Sequence, residues 1–306
     1  MKKAATPPYP IHSVSQLHQT LGLPKPGHPL VSVINLDEIR CYPDQSLKSV
    51  VYHFYSICIK KDFKGKLKYG QHYYDFDEGV MTFFSPGQVI ATDVANEAAV
   101  AGRWLIVHPD FIRNYPLAGK IKDYGFFSYA VNEALHLSEK EETMILSLMQ
   151  GIDQEYRSAI DTYSQDVIIS HLELLLSYAN RFYNRQFITR NNASSDLLVR
   201  LEAILSEYFD GDKVRATGLP SVQYISERLN VSPNYLSDML RTLTGQSTQQ
   251  HIHNKLIEKA KEILTTTTLS VGEIAYRLGF EYPQSFSKLF KNKTQVSPLD
   301  YRHSFN

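Results

Sequence analysis

The sequence predicts an α+β multidomain chain: an N-terminal antiparallel β-sandwich or barrel, the helices that follow it, and a C-terminal part that is all helix. Three observations predict it. The 306 residues exceed the roughly 100–200 of a usual domain. Short segments rich in β-branched and aromatic residues are confined to about Val31–His108. Beyond residue 190 the text reads as helix, with caps and turns at short intervals.

Residues 1–30 carry Pro7, Pro8, Pro10, Pro24, Pro26 and Pro29 and are expected to form an arm lying on the first domain. The segments VSVINL, VVYHFYSICIK, VMTFF and RWLIVH follow, broken by DFKGK, DFDEG and SPGQ. Short strands separated by turn residues point to a sandwich or barrel. Ser138 with Glu141 forms a capping box, each side chain serving a free N–H of the first helical turn. It opens the amphipathic run TMILSLMQGIDQEYRS, and the longer DVIISHLELLLSYANRFYN follows. The polar RNNASSD is the expected linker, which sets the boundaries at 1–189, 190–196 and 197–306.

Composition narrows the class. Hydrophobic residues at 43% and charged residues at 21% fit a globular protein and exclude a disordered one. Cys41 and Cys58 are too few for a disulfide framework or a four-ligand zinc site. MKKAATPPYP has no apolar stretch behind its lysines, so no secretory leader is expected. No run approaches the ~18 apolar residues of a membrane span. A cytoplasmic chain without membrane contact is the expectation. The total of 32 basic and 32 acidic residues hides an asymmetry. From Lys213 onward there are 12 Lys and Arg against 7 Asp and Glu, an excess of five positive charges balanced by five negative ones before it. That distribution suits a basic nucleic-acid-facing module joined to an acidic partner.

The C-terminal part repeats itself. Ser221, Val222, Ile225, Arg228 and Leu229 recur as Ser270, Val271, Ile274, Arg277 and Leu278, at an offset of 49. After one inserted residue, Leu236 and Leu240 recur as Phe286 and Phe290, at an offset of 50. Each copy has the grammar of a helix-turn-helix. Ser221 and Ser270 are N-caps, the latter boxed with Glu273. Val222, Ile225 and Leu229, with their counterparts, fall on one buried stripe. Asn230 and Gly279 stand where a left-handed residue is needed, and Ser232-Pro233 restarts a helix. Between the copies QQHIHNKLIEKAKEILTT reads as one helix of roughly 27 Å. That length suits two helices held about one duplex turn (~34 Å) apart.

The segment IAYRLGFEYPQSFSKLFKNKTQVSPLDYR (274–302) resembles the signature of the AraC/XylS family of transcription regulators. Ile274, Ala275, Gly279, Phe280, Phe286, Phe290, Lys291, Ser297, Pro298, Tyr301 and Arg302 carry the likeness. Gln295 departs from it where a glycine is usual at the helix end, and Lys288 where arginine is commoner, which loses bidentate geometry. The resemblance implies that the second helix of each unit enters the major groove of double-stranded DNA. The implied contacts are Asn234, Tyr235, Ser237, Asp238 and Arg241 in the first unit. In the second they are Pro283, Gln284, Ser285 and Lys288, with Lys291 and Lys293 nearer the phosphates. Gln pairs with adenine, Arg or Lys with guanine, and Asp accepts from cytosine N4. Asp238 either reads a base or faces away from the repelling phosphates. Phe280, Phe286, Phe290 and Tyr301 are expected in the core.

The resemblance further implies a cupin-like β-barrel over residues 1 to about 185, with helices that serve homodimerisation or merely cover the barrel. A small-molecule effector would meet Tyr52, His53, Tyr73, Tyr74, Arg103 and Trp104, or these are plain core positions. RNA polymerase is a partner if the protein is an activator. Cupin enzymes hold a metal on a strand H-x-H pair and a later His. His72 has no such neighbour, and His251 and His253 fall on the linking helix, where residues two apart point to different faces. No metal, cofactor or catalytic residue is expected. His108 is expected to cap a turn, and Cys41 and Cys58 to be buried apolar residues rather than a redox switch or methyl-accepting site. A cupin-class enzyme and a helical repeat that binds protein are the rival readings. A metal assay tests the first, and the salt dependence of DNA binding tests the second.

Overall fold

The computed structural model describes residues 8–39, 49–61, 66–69, 72–75, 79–91, 101–130, 133–158, 161–189, 191–211 and 213–304. The chain divides into two compact units, Met1–Gln186 and Phe187–Asn306.

The first unit runs β1 (Tyr9–Ile11), α1 (Val14–Thr20), β2 (Val31–Asn35), β3 (Ser49–Tyr52), β4 (Tyr55–Lys61), β5 (Lys66–Tyr69), β6 (His72–Asp75), β7 (Val80–Phe84), β8 (Val89–Ala91) and β9 (Ala101–Val107). It continues through α2 (Pro109–Ile112), α3 (Leu117–Lys120), β10 (Leu135–His136), α4 (Glu139–Arg157) and α5 (Ser164–Thr189), near whose end the division falls. One sheet has five antiparallel strands in the order β10-β7-β4-β9-β2, another has β1-β3-β8, and β5 and β6 form a hairpin. Central β4 is buried on both faces, as a strand covered from two sides must be. Cys58 joins Ile34, Trp104 and Ile106 in a core shared with Ile11, Val50 and Tyr52 of the smaller sheet. The opposite face carries Val33, and α4 packs over it with the Tyr156 hydroxyl accepting from Val33 N at 3.0 Å. At Gly102 a side chain would strike the carbonyl of Ile59 on the neighbouring strand, so only glycine lets β9 approach β4.

The expected strands are present, with two differences. The proline-rich arm is part of the core: β1 pairs in parallel with β3, and Ile11, Val14, Leu17 and Leu21 are buried. The run VVYHFYSICIK is two strands in different sheets, broken at His53-Phe54 with Phe54 fully buried. His108 caps α2 by accepting from Asp110 N at 3.2 Å. Both arms of the capping box at Ser138 and Glu141 are made. Cys58 is buried with its thiol pushed up by burial; Cys41 lies outside the described residues.

The second unit is helical: α6 (Asn191–Asp210), α7 (Lys213–Thr217), α8 (Val222–Leu229), α9 (Pro233–Thr244), α10 (Thr248–Thr266), α11 (Val271–Arg277), α12 (Pro283–Thr294) and α13 (Pro298–His303). The segment 190–196, read above as a linker, is helical from Asn191. Helix α6 packs on α8 and α10. Glu207 meets Arg228 at 3.0 Å and Lys213 at 3.4 Å, and Asp210 meets Lys259 at 2.7 Å. These donors hold both carboxyls below their ordinary range. Among the described residues no helix is long and apolar enough to cross a membrane.

Candidate nucleic-acid interface

Two helix pairs, α8–α9 and α11–α12, flank α10, and local chemistry sets each. Ser221 Oγ accepts from Tyr224 N at 3.0 Å to start α8, and Asn230 ends it in the left-handed conformation at φ 59°. Ser232 Oγ then accepts from Tyr235 N at 3.3 Å, Pro233 opens α9, and Gly245 closes it at φ 72°. In the second pair Ser270 and Glu273 box the start of α11, and Gly279 makes the turn at φ 80°. Pro283 opens α12, and Gln295 ends it at φ 66°, where a glycine would be unstrained. Helix α10 has 19 residues, or about 28 Å. Arg302 fastens its C-terminal end by donating to the carbonyls of Leu264 at 3.1 Å and Leu269 at 2.6 Å.

Each second helix is anchored by one face. Leu236, Met239 and Leu240 are buried on α9, and Phe286 and Phe290 on α12. Phe280 and Tyr301 stand half-buried beside the last two, their rings 5.5 Å from Phe286 and Phe290 respectively.

The opposite faces hold most of the residues expected to meet DNA. Asn234 and Arg241 are exposed on α9, with Asp238 between them and its carboxylate 3.2 Å from the Arg241 guanidinium. Tyr235 and Ser237 are turned inward. Tyr235 packs edge-on against Phe187, ring centroids 5.2 Å apart, and Ser237 Oγ lies 3.1 Å from Thr248 Oγ1. On α12 Gln284, Ser285, Lys288, Lys291 and Lys293 are exposed, and Pro283 is half-buried at the first position. Lys293 donates to Asn254 Oδ1 at 3.2 Å. Two exposed aromatics lie outside the sequence-predicted set: Tyr276 at 57% and Tyr282 at 60% exposure. Tyr282 occupies the N-cap place of α12, where its side chain makes no cap hydrogen bond. An aromatic residue before Pro283, where the first copy has Ser232, is the signal the sequence offers for it.

His251 and His253 have separate partners, Thr244 Oγ1 at 2.9 Å and Gln249 Nε2 at 3.0 Å, and burial lowers the pKa of both. In the first unit Tyr52 and Trp104 meet edge-on with ring centroids 5.5 Å apart, inside the core. The Trp104 indole donates to Ser56 Oγ at 2.5 Å. His53 stacks on His12 at 4.2 Å instead. Half-buried Arg103 neighbours Trp104 on the same strand, where side chains alternate faces. Tyr73 and Tyr74 stand on β6, and their side chains lie outside the described residues. A cavity lined by Phe83, Phe126, Tyr129 and Tyr183 includes none of these six positions.

Paired helices with one anchored and one polar face, repeated across a rigid connecting helix, define a double helix-turn-helix DNA-binding domain. The helix-turn-helix domain family matches residues 225–304. The regulatory protein SoxS of Salmonella typhimurium is 31% identical over 83 residues, covering 27% of this chain and 78% of SoxS. The Msm operon regulatory protein of Streptococcus mutans is 23% identical over 274 residues, 89% of this chain and 92% of that protein. The HTH-type transcriptional activator RhaS of Escherichia coli is 30% identical over 141 residues, 46% of each chain. The match spans about half the length of several such relatives. The chain belongs to the AraC family of transcription regulators, whose DNA-binding domain takes double-stranded DNA.

Proposed function

We propose that this protein is a sequence-specific activator that reads two half-sites about one duplex turn apart, with α9 and α12 in successive major grooves. The observation that carries the reading is the matched pair of faces. Asn234, Asp238 and Arg241 on α9 correspond, fifty residues on, to Gln284, Lys288 and Lys291 on α12. In both helices the spacing i, i+4, i+7 puts the three on one side, away from the buried anchors. Ser285 and Pro283 lie at the groove-entering end of α12, and Lys293 near its phosphate-facing end. Tyr235 and Ser237, turned inward, take a supporting place rather than a base edge.

Activation, with RNA polymerase as the partner, is supported by the similarity to RhaS, a transcriptional activator. The first unit is read as a cupin-like regulatory and dimerisation domain. Supporting self-association, Val167 and Leu174 stand exposed two helical turns apart on α5, with Met144 exposed on α4.

The test is selection of bound duplexes from a random pool by the full chain, with sequencing across a salt series. Two boxes about one helical turn apart are expected. Gln284→Ala should relax choice at one box only, and Arg241→Ala at the other. Retention of duplexes without any common motif at low salt overturns the reading.

A further inference from the structure

We infer that the two units divide the charge work on DNA: beside the base contact of Gln284, the lysines of α12 supply the sequence-independent grip on phosphates, whereas α9 adds little such grip and discriminates bases through an Arg241 held in place by Asp238. The inference rests on the DNA-binding reading above and deepens it.

The two reading faces differ in charge at corresponding places. On α12 the face is Gln284, Lys288, Lys291, and the helix carries three lysines and no carboxylate. On α9 the face is Asn234, Asp238, Arg241, and the helix is neutral. The middle position is therefore reversed in sign, Asp238 against Lys288. Among the described residues neither Lys288 nor Lys291 has an acidic partner, and Lys293 meets only the neutral Asn254. Such cations neutralise phosphates directly and release the counterions condensed on them.

Arg241 is placed differently. Its Nη1 lies 3.2 Å from Asp238 Oδ1, one turn back along the same face. A phosphate brought to this face meets the Asp238 carboxylate as well as the guanidinium, so α9 gains little from the backbone's charge. A guanine edge carries two neutral acceptors, O6 and N7, and is not repelled. A guanidinium steadied by a carboxylate presents its fork to that edge with less rotamer freedom to lose. Asp238 is thus a positioning residue, and it neither reads cytosine itself nor simply turns away.

The experiment measures affinity of the full-length protein for its selected site and for single-base variants, from about 50 to 200 mM salt. Lys291→Gln is expected to flatten the log–log salt dependence by about 0.9, the value for one phosphate no longer neutralised. It should weaken all sequences alike. Arg241→Gln should alter that slope less than half as much, yet lower the preference for one guanine by roughly 5- to 150-fold. Asp238→Asn should forfeit part of that same preference without flattening the slope or shifting the melting temperature, and Asp238→Glu should restore it. Equal flattening by Arg241→Gln and Lys291→Gln overturns the division, as does a full guanine preference in Asp238→Asn. A wild-type chain that holds no duplex at low salt sinks the DNA-binding reading itself, a different result from either.

Discussion

The two helix-turn-helix units build the same backbone from different residues, and the differences follow their neighbours. Both need a left-handed residue between their helices. Asn230 serves in the first at φ 59°, and Gly279 in the second at φ 80°. In the second unit a Cβ would sit 2.5 Å from the Val214 carbonyl oxygen and 2.8 Å from Gly218 Cα. There the segment around α7 presses on the turn, and only glycine fits. A repeat keeps its conformation while each copy is refitted to what packs on it.

Core truncation should break the comparison most strongly. Phe286→Ala removes a fully buried ring packed against Phe280 and Phe290, and a destabilisation of about 4 kcal/mol is expected. Leu236→Ala, its counterpart, should cost about 3 kcal/mol. Helical circular dichroism in a denaturant series compares the two, with fluorescence of the single Trp104 following the transition of the other unit separately. Equal destabilisation would mean that the larger ring contributes no extra packing.

At the turns, Gly279→Ala combines left-handed strain with collision against backbone, and about 3 kcal/mol of destabilisation is expected. Asn230→Ala meets only the conformational strain, about 1 kcal/mol. The same denaturant series measures both, and a ratio near one would show that the turn beside α7 yields.

Local chemistry makes the second unit readable. Serine caps, prolines at the first helical position and the left-handed Asn230 and Gly279 act within a few residues of themselves, so the text displays them. The start of α6 is hidden because Asn and Ser trail Ala by less than about 1 kcal/mol in helix propensity, too small a difference for the text to separate a linker from a helix. In the first unit the decisive contacts are between distant strands. That Tyr52 on β3 meets Trp104 on β9 depends on how two sheets face each other, and no local pattern encodes it. The arm is the exception. Val14, Leu17 and Leu21 recur at helical spacing in and just after α1, a signal masked by the prolines around them. In the candidate interface the exposed faces are legible from helical spacing. The Asp238–Arg241 contact and the inward turn of Tyr235 depend on rotamers, which the spacing leaves open.

The helix ends sharpen the comparison further. Gly245 closes α9 and Gln295 closes α12 in the same left-handed conformation. Gln295→Gly should relieve strain and give up only the exposed bond from Gln295 Nε2 to Asn292 O. A gain of roughly 1 kcal/mol is expected, against no gain if the glutamine bond compensates.

The smallest effect concerns the starts. Ser221, Ser232, Ser247, Ser270 and Ser297 cap their helices, at φ between −62° and −78° and ψ between 149° and 163°. Tyr282 stands at φ −124° and ψ 121° with no side-chain cap. Tyr282→Ser therefore supplies a hydroxyl in a backbone that aims it imperfectly, and about 0.5 kcal/mol of stabilisation is expected, at the low end for an N-cap. If the gain reaches the full ~1 kcal/mol of an ordinary cap, the backbone at 282 is set by the tyrosine and relaxes once it is gone. If stability falls instead, the exposed ring contributes packing that outweighs a cap, and the second unit departs from the first by more than charge.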